Sequence, residues 1–124
     1  MSFPKEIYIA SVVAVKCDGK DHRKARVGCV IRRRDGALVS ARNIAAKHVK
    51  VFTHHCAAPE CHAEARATKK ADVGAVAYVA RLRRDGSYGN ARPCNSCQAI
   101  MRARGIVAAY YTLSDVEWGC LKLR

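Results

Sequence analysis

Two short segments constrain the fold of this chain more than any other feature. One is His62-Ala63-Glu64, directly after Cys61; the other is Pro93-Cys94-Asn95-Ser96-Cys97, with 28 residues between Glu64 and Pro93. Cys94 and Cys97 are three apart at an expected helix start, so their side chains leave one face together, as two ligands of a single tetrahedral ion must. Pro93 suits the first helical position, and the amide end of such a helix favours thiolates. His62, at the start of a second helix, supplies a third ligand. A fold that serves this pattern must bring two helix N-termini to one point. Three protein ligands leave one zinc position open to water, the arrangement of a catalytic rather than a closed structural site, and two thiolates balance the dication. Glu64, two residues past His62, reaches such a water without being a ligand and is a candidate proton carrier.

The rest of the chain alternates helical and strand-like signals. Residues 7–15 are apolar on all sides and rich in Val and Ile, so a buried helix and a buried strand are hard to separate, although Ser2 as cap and Pro4 in the first turn suit a helix. Residues 27–32 and 37–41 read as strands joined by Arg33-Arg34-Asp35-Gly36, with Asp-Gly as the turn. Residues 44–60 carry Pro59 and little periodicity, which suggests a loop or a broken segment. A helix is expected from about 62 to 70 through Ala63, Ala65 and Ala67. A strand over 75–82 is broken by Asp85-Gly86 and Gly89-Asn90. Pro93 opens a helix through Met101, Gly105 closes it, residues 106–113 form another strand, and the tail adds a last one. This order predicts an α/β layered domain with a central sheet, and no internal repeat or linker is evident.

Composition narrows the setting. A length of 124 residues allows one domain, 1–124, with one core. Half the residues are apolar and 27% are charged, a globular balance that excludes a disordered basic tail. Seven cysteines make an odd count in a chain large enough to bury a core, so metal ligation and free thiols are expected rather than a disulfide framework. No segment approaches the roughly 18 to 20 apolar residues that span a bilayer, and no signal peptide is apparent, so a reduced, cytoplasmic protein without a membrane partner is expected. The formal charge of +13 points to a phosphate-bearing partner.

Each motif alone has other readings: C-x-x-C serves as a redox pair or as half of a structural zinc site, with Cys61 or Cys56 as a fourth ligand. Together, H-x-E followed by P-C-x-x-C is the zinc-deaminase signature. The sequence resembles the cytidine and deoxycytidylate deaminase superfamily. The likeness rests on Cys61-His62-Ala63-Glu64, on residues 92–97, on Asn43 and on the strand holding Tyr110 and Tyr111, and it spans nearly the whole chain. It implies a three-layer α/β fold, a central mixed sheet of about five strands flanked by helices. It also implies zinc on His62, Cys94 and Cys97, with Glu64 as proton shuttle while zinc-bound hydroxide attacks C4 of cytosine, or C6 of adenine in the tRNA-editing branch. By the same resemblance Asn43 meets a sugar hydroxyl or the base, and the Ala63 amide meets the base carbonyl.

Departures from the pattern bear on substrate. Asn90-Ala91-Arg92 stands where polynucleotide cytosine deaminases have an aromatic-rich segment, and aromatics make up only 6% of residues. The likeness is closest to small nucleotide deaminases. The expected substrate is therefore cytosine in a free nucleoside or nucleotide, with Arg92 among the substrate-binding residues. The alternative is cytosine or adenine within single-stranded DNA or RNA. Deaminases of this kind usually share active sites between subunits, so a homo-oligomer is expected.

Several lesser features carry expectations. A second zinc site from His54, His55, Cys56 and Cys61 with Cys17 or Cys29 matches no closed ligand spacing, so a loop with ordinary thiols is the simpler reading. Cys29 and Cys120 read as core thiols. Trp118 either stacks a base or fills a core edge or subunit contact. Tyr110 and Tyr111 fall on opposite faces of a strand, so at most one faces a pocket. The runs Arg32-Arg33-Arg34 and Arg81 to Arg84 read by default as solvated strand ends, the first at the end of the sheet away from the metal site. Arg23, Lys24, Arg26, Arg42, Lys47, Lys50, Arg81, Arg83, Arg84 and Arg92 are expected to ring the mouth.

Overall fold

The computed structural model describes residues 2–16, 26–43 and 62–124. Its elements in chain order are α1 (Lys5–Val15), β1 (Arg26–Arg32), β2 (Leu38–Arg42), α2 (Ala63–Thr68), β3 (Val76–Leu82), β4 (Tyr88–Gly89), α3 (Asn95–Arg104), β5 (Ala108–Thr112) and β6 (Trp118–Lys122). The sheet runs β2-β1-β3-β5-β6, with β4 paired to β3. Among the described strands only β3 and β5 are parallel, and α3 lies in the crossover between them. The sheet is mixed, as expected, and among the described residues it holds six strands where about five were expected. The extra one, β4, holds two residues and occupies the stretch of β3 edge that β5 leaves open: Val76 to Val79 pair with β5, and Arg81 and Leu82 with β4. The loop expected at 44–60 lies outside the described residues.

Alternation along the strands divides the core. Cys29, Ile31, Ala77, Val79, Ala109 and Tyr111 face α2 and α3, where they pack with Ala63, Ala67, Met101 and Ile106. Val30, Tyr78 and Ala80 face the other way, onto Ile7 and Ala10 of α1. Residues 7–15 are therefore helical. The decisive contact is one a strand could not make: a Cβ on Gly28 would fall 2.1 Å from the Ala10 carbonyl oxygen. The helix backbone rests on a glycine in β1, and the small residues Ala10 and Ala14 complete the seam. Ser2 is not the cap. Pro4 takes that position with extended backbone, its carbonyl accepting from the Ile7 amide at 2.9 Å.

The tetrapeptide Arg-Arg-Asp-Gly occurs twice and builds the same hairpin twice, a repeat too short to stand out in the sequence. In each, the first arginine amide bonds the carbonyl four residues on, Arg33 to Ala37 and Arg83 to Ser87, both at 2.8 Å. The aspartate accepts from the amide two residues on, and the glycine takes φ of 91° or 88°. Because β1 and β3 are antiparallel, the two hairpins sit at opposite ends of the sheet.

Three expectations need correction. Arg32 is not a solvated strand end: it forms an ion pair with Glu6 of α1, whose side chain is buried, so the pair ties the helix to the sheet. Arg33 also packs back, donating to the Lys70 carbonyl and lying near Asp35 and Asp72. Cys29 is buried as expected, but Cys120 is exposed, because α1 lies over β1 and β3 and leaves the outer strands on its side less covered.

Replacing Gly28 with alanine forces the helix off the sheet, since the clashing atoms are backbone. A loss of about 1–3 kcal/mol or more is expected from such overpacking. Chemical denaturation measures it, and an unchanged midpoint would contradict the seam.

Candidate metal centre

Both ligand-bearing helices start on a ligand. His62 is the N-cap of α2, with extended backbone, and its carbonyl accepts from the Arg66 amide at 3.0 Å. Cys94 is the N-cap of α3, its carbonyl accepting from the Gln98 amide at 2.9 Å. Pro93 therefore stands one residue before the cap rather than at the first helical position. An N-cap needs extended backbone, which lets the Cys94 side chain turn toward that of Cys97 in the first turn.

The His62 Nδ1 lies 3.3 Å from the Cys97 sulfur and 3.7 Å from that of Cys94, and the three donor atoms are all within 4.8 Å of one another. Ligand bonds of ~2.3 Å to sulfur and ~2.0 Å to nitrogen at tetrahedral angles put N and S about 3.6 Å apart. The observed spacings bracket that value. One imidazole and two thiols fit a zinc ion in their midst, with a fourth position left for a non-protein ligand. Burial pushes the Cys97 thiol well above its usual range, helped by the Glu64 charge and the Cys94 sulfur. A dication reverses that preference, so loading releases protons.

The Glu64 carboxyl is buried, at 7% exposure, and burial holds it above the usual carboxylate range. It is close enough to raise Cys97 and the buried Cys29 thiol, whose largest push is burial itself. Cys29 belongs to the buried apolar cluster that holds Ala63 and Ala67 of α2. The Thr68 hydroxyl donates to the Glu64 carbonyl at 2.6 Å. Asn43, just past β2, is held in register by β1: its Oδ1 accepts from the Val27 amide at 2.9 Å. Ala63 is fully buried at the first position of α2. Arg92 is exposed two residues before Cys94, and its Nη1 donates to the Tyr111 hydroxyl at 3.3 Å.

Sequence reasoning missed the frame that holds the cysteine loop. Gln98, buried, donates from Nε2 to the Pro93 carbonyl at 2.8 Å. The Ala91 amide bonds the Thr112 carbonyl at 2.8 Å, and the Thr112 hydroxyl donates to the Gly89 carbonyl at 2.7 Å. At the far end, Arg104 of α3 donates to the carbonyls of Ala71 and Lys69 just past α2, locking the two helices together. No local pattern marks Gln98 or Thr112, because each acts on a carbonyl fixed by the fold. The metal group, Arg26, Arg42 and the 83–87 hairpin lie toward one end of the sheet, with Arg66 of α2 donating to the Arg42 carbonyl at 2.6 Å. Arg23, Lys24, Lys47 and Lys50 of the expected rim lie outside the described residues, as do Cys17, His54, His55, Cys56 and Cys61.

The fold and the His/Cys/Cys group define the class, a zinc-binding α/β deaminase domain. The family model for the cytidine and deoxycytidylate deaminase zinc-binding region matches residues 4–113, and the chain belongs to that family. Among solved structures it is similar to a cytidine deaminase from Burkholderia pseudomallei, at 16% identity and a TM-score of 0.70, covering 99% of this chain and 94% of that one. It is also similar to a mutant cytidine deaminase from Mycobacterium tuberculosis, at 17% identity and a TM-score of 0.58, covering 98% and 93%. No curated protein sequence matches the chain. No helix among the described residues is long and apolar enough to cross a membrane.

Two outcomes test the centre. Gln98→Leu leaves the Pro93 carbonyl without its partner and loosens the cysteine loop, so zinc affinity falls by about tenfold, read by competition with a chelating dye. The second concerns pH. A carboxyl held more tightly protonated in the folded chain contributes stability that is full below its unfolded pKa of about 4.3 and is lost as pH rises through the folded value. In metal-free protein the Tm advantage of Glu64→Gln over wild type therefore grows as pH rises. A difference that stays constant with pH would show the carboxyl is not strained by burial.

Proposed function

We propose that this domain, spanning residues 1–124, hydrolytically deaminates cytosine in a free nucleoside or nucleotide, the monophosphate above all. The observation that carries the reading is a buried, proton-retaining Glu64 carboxyl beside a His/Cys/Cys group with one position to spare. His62, Cys94 and Cys97 hold the zinc, which when bound lowers the pKa of water and so supplies a nucleophile near neutral pH. Glu64 takes one proton from the attacking water and gives it to N3 of the base. It then carries the remaining hydroxyl proton to the amino group, so that the C4–N bond breaks, oxygen replaces the amino group at C4 and ammonia leaves. Its raised pKa suits both steps, since a carboxyl that binds its proton tightly is a better base and stays protonated long enough to act as an acid. Burial keeps that proton from bulk water.

Asn43 is oriented by its bond to Val27 to meet the sugar or base, Ala63 offers its amide to the base carbonyl, and Arg92 stands at the entrance. Thiolate ligands need a reducing compartment, which supports a cytoplasmic setting. Tyr8, Ile9, Val12 and Val15 are all exposed on α1, an apolar stripe that supports association with further copies of the chain. The alternative substrate, cytosine or adenine in single-stranded DNA or RNA, draws support from the arginines gathered at this end of the sheet.

Ammonia release distinguishes these readings when cytidine, deoxycytidine, their 5′-monophosphates and oligonucleotides carrying cytosine or adenine are compared. Turnover of the small substrates with a shallow salt dependence is expected, because one phosphate displaces few counterions. Reaction of the oligonucleotides alone, with a steep salt slope, would overturn the reading. Glu64→Ala is expected to retain zinc and lose about 10²–10⁴-fold in kcat. A zinc-stabilised binding module without catalysis would show no turnover to lose.

A further inference from the structure

Tyr111 and Arg92 form a contact that the deamination chemistry does not use. Tyr111 lies on the same sheet face as Ala109 and Val79, toward α2 and α3, while its neighbour Tyr110 points to the opposite face and stacks on Tyr78. Its ring is buried, at 6% exposure, and covers Gly119, its partner on β6. A Cβ on Gly119 would stand 2.7 Å from the hydroxyl oxygen and from the ring carbon that bears it. Absence of a side chain at 119 is thus what lets the phenol lie where it does. The hydroxyl then accepts from Nη1 of Arg92.

An exposed arginine ordinarily samples many rotamers. Here the guanidinium is held by a phenol that is itself wedged in the core, and no carboxylate among the described residues pairs with it. The backbone beneath it is fixed too: the Arg92 amide donates to Asn90 Oδ1 at 2.9 Å, and Ala91 bonds Thr112. Two residues reach at most ~7 Å, so the Arg92 backbone stays within that distance of ligand Cys94. An unpaired guanidinium, preorganised and open on its remaining edge, is a fork for one anionic oxygen pair.

We propose that Arg92, positioned by Tyr111 on Gly119, receives the substrate's terminal phosphate and sets the preference for a nucleoside monophosphate over the nucleoside. The inference rests on the deaminase reading and deepens it. Arg92 touches the phosphate; Tyr111 is a positioning residue that acts through it. A single fork fits one phosphate ester better than the backbone of a strand, which needs a series of cations.

The test uses the zinc-loaded full chain and reads the ratio of kcat/KM for cytosine 5′-monophosphate to that for the nucleoside. Arg92→Gln is expected to lower the ratio about 10–100-fold, the worth of a charge-assisted hydrogen-bond pair. Tyr111→Phe, which keeps the ring, lowers it severalfold through KM rather than kcat. The double variant falls no further than Arg92→Gln alone, because the phenol acts only through the guanidinium. Arg102→Gln on the exposed side of α3 removes the same charge and leaves the ratio unchanged. A ratio unmoved by Arg92→Gln, or multiplying losses in the double variant, overturns the proposal. If wild type releases ammonia from neither substrate, the deaminase reading fails, and calorimetric titration with uridine 5′-monophosphate and uridine decides the clamp separately. Tighter monophosphate binding that Arg92→Gln abolishes supports it; equal binding of the two overturns it.

Discussion

The 3.3 Å approach of the His62 ring to the Cys97 sulfur joins two helices that start from different strands, and the geometry of one end of the molecule follows from it. Neither N-terminus is capped by a side chain of its own, since His62 and Cys94 occupy the cap positions and turn their donor atoms to each other. Helix starts ordinarily satisfy their amides with Ser, Asp or Asn. Here the cap positions are given to metal ligands, and the cost is offset elsewhere: by Gln98 on the Pro93 carbonyl, by Thr112 on Gly89, and by Arg104 bracing the far end of α2. The apparatus around the centre holds a loop that would otherwise have little reason to keep its shape.

The same economy governs the opposite face of the sheet. α1 contributes nothing to the centre, yet it fixes β1 by lying on Gly28 and by pairing buried Glu6 with Arg32. β1 in turn carries Cys29, packed in the cluster with Ala63 and Ala67 of α2, and Val27, which orients Asn43. One central strand thus passes the position of a helix on one face to polar groups on the other. A charged pair of this kind is a weak source of net stability, because desolvation of Glu6 opposes its attraction to Arg32. Its effect is to reinforce the rotation of α1 that the close approach of Ala10 and Ala14 to Gly28 already requires.

The metal ligands, the helix order and the hairpin at Arg33-Arg34-Asp35-Gly36 were legible in the sequence, because each is a local pattern with a physical cause. The helix over residues 7–15 was legible only from its start at Pro4, since its apolar character has no period; the fit of Ala10 to Gly28 settles it, and those residues are 18 apart. β4 was missed because two residues form a strand only where a neighbour has spare edge. Tyr111 was recognised as one of a pair of which a single ring could face the site, but which ring depended on the register of β5 against β6. Cys120 was misjudged for the same reason: an apolar local context says nothing about whether a helix reaches across to cover that strand.

The charge of +13 is best understood by asking which cations are already engaged. The two Arg-Arg-Asp-Gly hairpins make the contrast, having the same residues and the same turn. At the end away from the metal group, Arg32 is paired with Glu6 and Arg33 lies among Lys70, Asp35 and Asp72, so these charges serve the fold. At the metal end, Arg26 donates to the Arg83 carbonyl and Arg81 to that of Asn90, contacts that fix side chains without neutralising them. Asp85, held below the usual carboxylate range chiefly by Ser87, is turned into its own hairpin. Among the described residues, these arginine–carboxylate ion pairs thus fall at the end away from the metal group. A field of that shape draws any phosphate toward the centre, whereas only a fixed guanidinium distinguishes one phosphate from many. The Arg92 head group is held by a buried side chain, that of Tyr111, and that makes it a place where attraction becomes selection.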